Sequence, residues 1–224
     1  MEISTGRQEK MAIYKSFPVY GITAEAMSAG RDNLTVVREM LEAGIRCVQY
    51  REKTKSGLAR YEECLQLRQL TRKYNALLII DDFVDLAIAV DADGVHVGQD
   101  DLPPQVVRKL LGNDKIIGLS THNPQQLEQA NMIKDIIDYI GTGPVYATQT
   151  KPGAKAAGLD YISCASEHSQ LPFVAIGGLK AHNVAEVAKR GASCIAVVSE
   201  ITGAADIQKK IQEIVKKFPN FKMK

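Results

Sequence analysis

Eight short runs of apolar, β-prone residues recur along this chain with stretches of helical periodicity between them. That alternation argues for βα units on a parallel sheet. The runs are residues 17–23, 46–51, 77–82, 94–98, 115–120, 139–143, 173–177 and 194–199. Apolar residues at helical spacing fill 34–43, 58–74, 103–111, 124–134, 183–190 and 205–217, with a weaker helical pattern over 84–89 and 161–168. Eight units in 224 residues leave about 28 residues for each, which fits a single-domain (β/α)8 TIM barrel. An open doubly wound sheet is the competing fold. It is disfavoured because no glycine fingerprint follows the first strand, while Gly177-Gly178 stands late in the chain. The barrel is expected over 17–218, after an N-terminal extension (1–16) that need not be ordered and before a short tail (219–224).

Composition narrows the classes further. With 28 Lys and Arg against 26 Asp and Glu, the formal charge is +2, too balanced for an electrostatic nucleic-acid or membrane footprint, so any anion site must be local. Cys47, Cys64, Cys164 and Cys194 lack the close spacing of zinc or redox motifs. The polar start of the chain has no signal-peptide core, and no later segment has the length and apolarity of a membrane span. These features predict a cytoplasmic protein acting on small molecules, with no nucleic-acid or membrane partner, and leave a homo-oligomer open.

In such a barrel the site forms from residues just past the strands. The second run ends Gln49-Tyr50-Arg51-Glu52-Lys53, and alternation sends Gln49, Arg51 and Lys53 the same way. A solvated strand end is one reading. A phosphate clamp is the other, with Arg as a bidentate fork and Lys as a point charge. The third run passes from four aliphatics into Asp81-Asp82, and the fourth leads through Gln99 into Asp100-Asp101. Helix capping competes for these carboxylates. Carboxylates from adjacent strand ends can also converge on one cation, and two of them plus phosphate oxygens is the usual way to hold Mg2+. Ser120 and His122 follow the fifth run. After the sixth, Thr148-Gln149-Thr150-Lys151 precedes a Gly- and Ala-rich stretch suited to an anion-binding loop. Gly177-Gly178 and Val198-Ser199 close the seventh and eighth runs, where barrels often bind phosphate through backbone amides.

Taken in order, Gln49-x-Arg51-x-Lys53, Asp81-Asp82, Gly98-Gln99-x-Asp101, Ser120, Thr148-x-Thr150-Lys151, Gly177-Gly178 and Val198-Ser199 resemble the thiamine-phosphate synthase family across almost the whole chain. That resemblance implies a transferase that couples hydroxymethylpyrimidine diphosphate to a hydroxyethylthiazole phosphate, releases diphosphate and requires Mg2+. It implies that Gln49, Arg51, Lys53, Ser120 and Lys151 hold the pyrimidine diphosphate, with Tyr50, Glu52 and Asp81 beside them. Asp82 and Asp101 would coordinate Mg2+. Thr148, Gln149, Thr150, Gly178, Val198 and Ser199 would hold the thiazole phosphate, and Arg51, Lys53, Ser120 and Lys151 would carry the catalysis.

Four positions depart from the family pattern: Asp81 in place of Asn, Phe83 in place of a basic residue, Ala147 in place of Pro, and Glu200 in place of a small residue. These are expected to tune affinity and not to abolish the chemistry. Two other readings compete with the synthase. His122 keeps open a thiazole tautomerase of the same fold, and Asp81 with Glu200 keep open a non-catalytic phosphate-ligand-binding paralogue.

Overall fold

The structure, a computed structural model, describes residues 3–148, 155–218 and 221. It opens with α1 (Thr5–Tyr14) and then alternates: β1 (Val19–Ile22), α2 (Asn33–Glu42), β2 (Cys47–Tyr50), α3 (Gly57–Lys73), β3 (Leu77–Asp81) and α4 (Val84–Ala89). The order continues with β4 (Gly94–Val97), α5 (Pro104–Leu111), β5 (Ile116–Thr121), α6 (Pro124–Met132), β6 (Tyr139–Thr142) and α7 (Gly158–His168). It closes with β7 (Phe173–Ile176), α8 (Val184–Lys189), β8 (Ile195–Ala196), α9 (Ser199–Thr202) and α10 (Ile207–Val215). All eight strands pair parallel in chain order and β8 returns to β1, so the sheet is a closed barrel. The expected (β/α)8 fold is the one observed.

Strand alternation divides the core into two shells. Tyr20, Cys47, Leu77, Ile79, Ile116, Tyr139, Val174, Cys194 and Ala196 fill the barrel interior. Residues of opposite parity, such as Val48, Leu78, Ile80, Val95, Ile117 and Ile140, pack outward against the helices. Register sets Gln49 beside Ile79, Asp81 beside His96, His96 beside Gly118, and Ser120 beside Gly141. Large polar rings fit inside because small neighbours make room. A Cβ on Gly118 would lie 2.3 Å from both His96 Nδ1 and Tyr139 Cζ.

Residues 3–16 differ from the expectation of an extension outside the fold. From Ile3 onward they are described, and α1 covers the amino-terminal mouth of the barrel. Ser4 caps it by accepting from the Arg7 N–H, and Tyr14 stacks on Tyr139 at 4.7 Å. Arg7 is fully buried, its Nε 2.8 Å from Asp138 Oδ1. The helix reads as polar in the sequence because its anchor is a charged side chain whose partners are more than one hundred residues away. A groove of about 610 Å3 between α1 and the loops at this mouth, lined by Arg7, Met11, Lys134 and Leu171, lies at the opposite end from the strand-end rim.

Breaking a buried ion pair leaves a desolvated charge behind. Asp138 keeps Arg108 at 2.9 Å and the Ile117 N–H at 2.8 Å, so Arg7→Ala should cost toward the lower end of the usual range, about 3 kcal/mol. Urea unfolding checks this. A variant within about 0.5 kcal/mol of the parent would mean that α1 contributes little to the fold.

Candidate active site

The carboxy-terminal rim carries two chemically different halves. Over β2 to β4 lies a charged ledge. Thr23, fully buried, accepts the Arg51 N–H at 2.8 Å and fixes the backbone where the chain leaves β2. Arg51 Nε then sits 3.4 Å from Asp81 Oδ2, and Lys53 Nζ lies 2.8 Å from Asp82 Oδ2 and 3.8 Å from Asp81. Asp82 adopts φ +62°, a left-handed conformation that Asp and Asn tolerate better than most residues. Its N–H donates to the His96 carbonyl, which ties the end of β3 to β4. On the next loop Asp101 Oδ2 accepts from the Gly98 N–H at 2.7 Å, while Gln99 Nε2 donates to the Ser120 carbonyl.

Burial, then the neighbouring Asp82, pushes the Asp81 carboxyl up to about 7; Arg51 and Lys53 only partly offset this, and Asp101 adds to the rise. Near neutrality Asp81 therefore exists partly as the protonated acid, which can donate a hydrogen bond as an asparagine amide would. The same crowding is the test of fit for Mg2+. Asp82 and Asp101 both stand close enough to raise the proton affinity of Asp81, so the three form a hard-oxygen donor set whose crowding a divalent cation would relieve. Among the described residues there is no group of three or more His, Cys, Asp or Glu arranged to hold a metal by themselves. Two carboxylates with substrate phosphate oxygens do not require one.

Beneath the ledge the barrel interior holds a hydrogen-bonded chain. Gln49 Nε2 donates to Tyr20 Oη at 3.2 Å, Tyr20 and Tyr139 hydroxyls are 2.9 Å apart, Tyr139 Oη is 3.2 Å from His96 Nδ1, and His96 Nε2 is 3.0 Å from Ser120 Oγ. One direction satisfies every link: each group donates to the next, from the Gln49 amide to the Ser120 oxygen. Burial raises both tyrosine hydroxyls far above their usual range, so both remain protonated donors. Tyr20, His96 and Tyr139 were missed by the strand-end reading, which stopped at the last residues of each run. Extending the inward parity back from Gly98 to His96 would have found the histidine.

The other half of the rim, over β6 to β8, is built for close approach of backbone. Gly177 and Gly178 have φ of +99° and +65°, and a Cβ on Gly178 would stand 2.8 Å from the Ala147 carbonyl. Val198 and Ser199 lead into the single turn of α9, with Val198 packed on the barrel interior and Ser199 exposed. Thr148 is half-buried at the edge of this half. Gln149, Thr150 and Lys151 lie outside the described residues.

Two expected contacts are placed elsewhere. Tyr50 and Glu52 have the outward parity of β2, so their side chains point away from the barrel axis. Tyr50 Oη donates to Glu63 at 2.5 Å, and Glu52 Oε1 accepts from the Glu25 N–H and from Asn33 at 3.0 Å each. They brace the loop that carries Arg51 and Lys53. Three of the four departures from the family pattern are also accounted for, Asp81 by its raised proton affinity. The Arg60 guanidinium lies 3.7 Å over the Phe83 ring, which returns a basic group to that position. Glu200 turns to the Ala181 N–H and to Lys210. His122 Nδ1 donates to the Gly143 carbonyl at 2.5 Å, a structural bond. The structure offers no account of Ala147.

One family's sequence model, described as thiamine monophosphate synthase, matches residues 19–201, from the first strand into α9. The chain belongs to the thiamine monophosphate synthase family. Within that family, a thiamine-phosphate synthase of Caldicellulosiruptor saccharolyticus is 50% identical over 220 residues, covering 96% of this chain and 99% of the relative. Another, of Pelotomaculum thermopropionicum, is 52% identical over 197 residues, covering 88% of this chain and 89% of the relative. The solved structure of a thiamine phosphate pyrophosphorylase from Pyrococcus furiosus superposes with a TM-score of 0.83 at 38% identity, covering 92% of this chain and 97% of that one. The matched range spans both halves of the rim, the charged ledge and the glycine-containing half over β6 to β8.

Proposed function

We propose that the chain is a thiamine-phosphate synthase, joining 4-amino-2-methyl-5-(diphosphooxymethyl)pyrimidine to a hydroxyethylthiazole phosphate with release of diphosphate. The observation that carries this reading is the pairing of Arg51 and Lys53 with Asp81 and Asp82 on one rim. It stands in a chain half identical over nearly its whole length to relatives bearing that name. The thiazole nitrogen attacks the pyrimidine methylene, the methylene–oxygen bond breaks, and diphosphate carries away the electron pair. No protein nucleophile is required.

The residues have three tasks. Arg51 and Lys53, with Lys151, neutralise negative charge growing on the departing diphosphate, an electrostatic effect worth several kcal/mol. The Gln49–Tyr20–Tyr139–His96–Ser120 chain supplies fixed polar groups at the base of the site, so the pyrimidine is held without reorganisation. Gly178, Val198 and Ser199, with Thr148, receive the phosphate of the second substrate. Asp82 and Asp101 would hold Mg2+, which when bound supplies further positive charge for the diphosphate. We place the reaction in the cytoplasm; among the described residues no helix is long and apolar enough to cross a membrane. The tautomerase reading rested on His122, whose Nδ1 serves the fold, and the non-catalytic reading lost Glu200 to Ala181 and Lys210.

Diphosphate release by the purified full chain tests this. Release should require both substrates together and stop with EDTA. No diphosphate from a protein that still binds the thiazole phosphate in calorimetry would overturn the synthase reading.

A further inference from the structure

Large exposed apolar side chains are concentrated on one side of the barrel. Of the nine among the described residues, only Ile3 and Met132 lie away from it. Leu58, Tyr61 and Leu65 form a stripe along α3 at spacings of three and four, while the same helix buries Cys64 and Leu67 on its other face. Leu102, Val106 and Leu110 form a second stripe on the approach to α5 and along it, opposite the buried Val107. Between them stands α4, in contact with both helices and exposing Ile88. These side chains are 37–68% exposed. A soluble chain gains nothing in isolation from two such stripes, because each helix already has the apolar face it needs for the barrel.

We propose that this face is the interface at which two copies of the chain associate around a two-fold axis passing near α4. Seven half-exposed apolar side chains present on the order of 500 Å2, near the top of the range for the largest patch on a monomer. With a polar rim added, that approaches the ~800 Å2 per partner of a standard interface. The pattern is self-complementary, as an isologous contact requires. A two-fold axis near α4 sets α3 of one copy against α5 of the other and brings the two Ile88 side chains together. It also brings exposed Glu62, beside the α3 stripe, toward exposed Lys109, beside the α5 stripe, and does so twice. The three helices follow β2, β3 and β4, and Leu102 directly follows Asp101. Association therefore braces the side of the barrel that bears the charged ledge.

Sedimentation velocity of the full chain, from about 1 to about 100 µM, should show a species of twice 24.5 kDa, that is about 49 kDa. Val106→Glu and, separately, Ile88→Glu should each weaken association about 100-fold or more and leave the far-UV circular dichroism unchanged; using two sites guards against one variant failing to fold. Glu62→Lys alone and Lys109→Glu alone should each weaken it about tenfold, and the double exchange should restore it. A parent chain that stays monomeric across this range overturns the proposal, whether or not it binds phospholipid vesicles instead. So does a dimer that survives both Val106→Glu and Ile88→Glu, or a double charge exchange that restores nothing.

Discussion

Asp101→Asn should lower the release of diphosphate in the presence of Mg2+ by about 10^3-fold, equivalent to about 4 kcal/mol of barrier, if the proposed cation site holds. Asparagine is the informative substitution because Asp101 also accepts the Gly98 N–H at 2.7 Å. The amide oxygen can keep that bond and the loop, while the charge that would hold the cation is lost. Asp82→Asn should have a similar effect for a parallel reason. Its φ of +62° is tolerated by asparagine, so the backbone at the end of β3 survives and the partner of Lys53 loses its charge. The defect should lie in binding of the pyrimidine diphosphate with metal, leaving thiazole phosphate affinity intact. Calorimetry with each substrate, alongside steady-state release, separates the two. An Asp101→Asn enzyme as active as the parent and equally sensitive to EDTA would remove Asp101 from the cation site.

Gly118→Ala should cost about 3 kcal/mol or more and lower Tm by about 6–12 °C. The added methyl would meet His96 Nδ1 and Tyr139 Cζ at 2.3 Å and the Tyr139 hydroxyl at 2.6 Å. Neither ring can swing away easily. Tyr139 is stacked on Tyr14 and bonded to Tyr20, and His96 is held between Tyr139 and Ser120. Activity should fall together with stability, because the clash falls on the chain that ends at Ser120. Gly57→Ala is the control. It opens α3 in an exposed position with nothing within 4 Å of the new carbon, and should change stability by less than about 1 kcal/mol, in the favourable direction. Calorimetric scans of both variants decide the matter; a Gly118→Ala protein as stable as Gly57→Ala would show that the interior can repack around the rings.

The barrel and most of its rim were legible in the residue order for a physical reason. Hydrophobic periodicity is set by local geometry, two residues per repeat in a strand and 3.6 in a helix, so eight alternating units appear without knowledge of what touches what. Parity likewise placed Gln49, Arg51 and Lys53 on one side of β2. Applied consistently, it would also have turned Tyr50 and Glu52 outward and His96 inward. What made those residues hard to read was chemistry: Tyr50 and Glu52 share a run with the cationic pair, and a lone histidine between two glycines carries no spacing signal.

The sequence by itself determined the (β/α)8 alternation, the charged strand ends and the family. Each of these is written in neighbours a few residues apart. Only the tertiary structure decided the rest. Whether Asp81 sits as a charge or an acid depends on Asp82, Arg51, Lys53 and Asp101 converging on it. Whether a polar helix joins the fold depends on Arg7 finding Asp138, and whether Phe83 loses a basic group depends on Arg60 arriving from α3. Burial and charge pairing are properties of distances between remote residues, and those distances exist only once the barrel has closed.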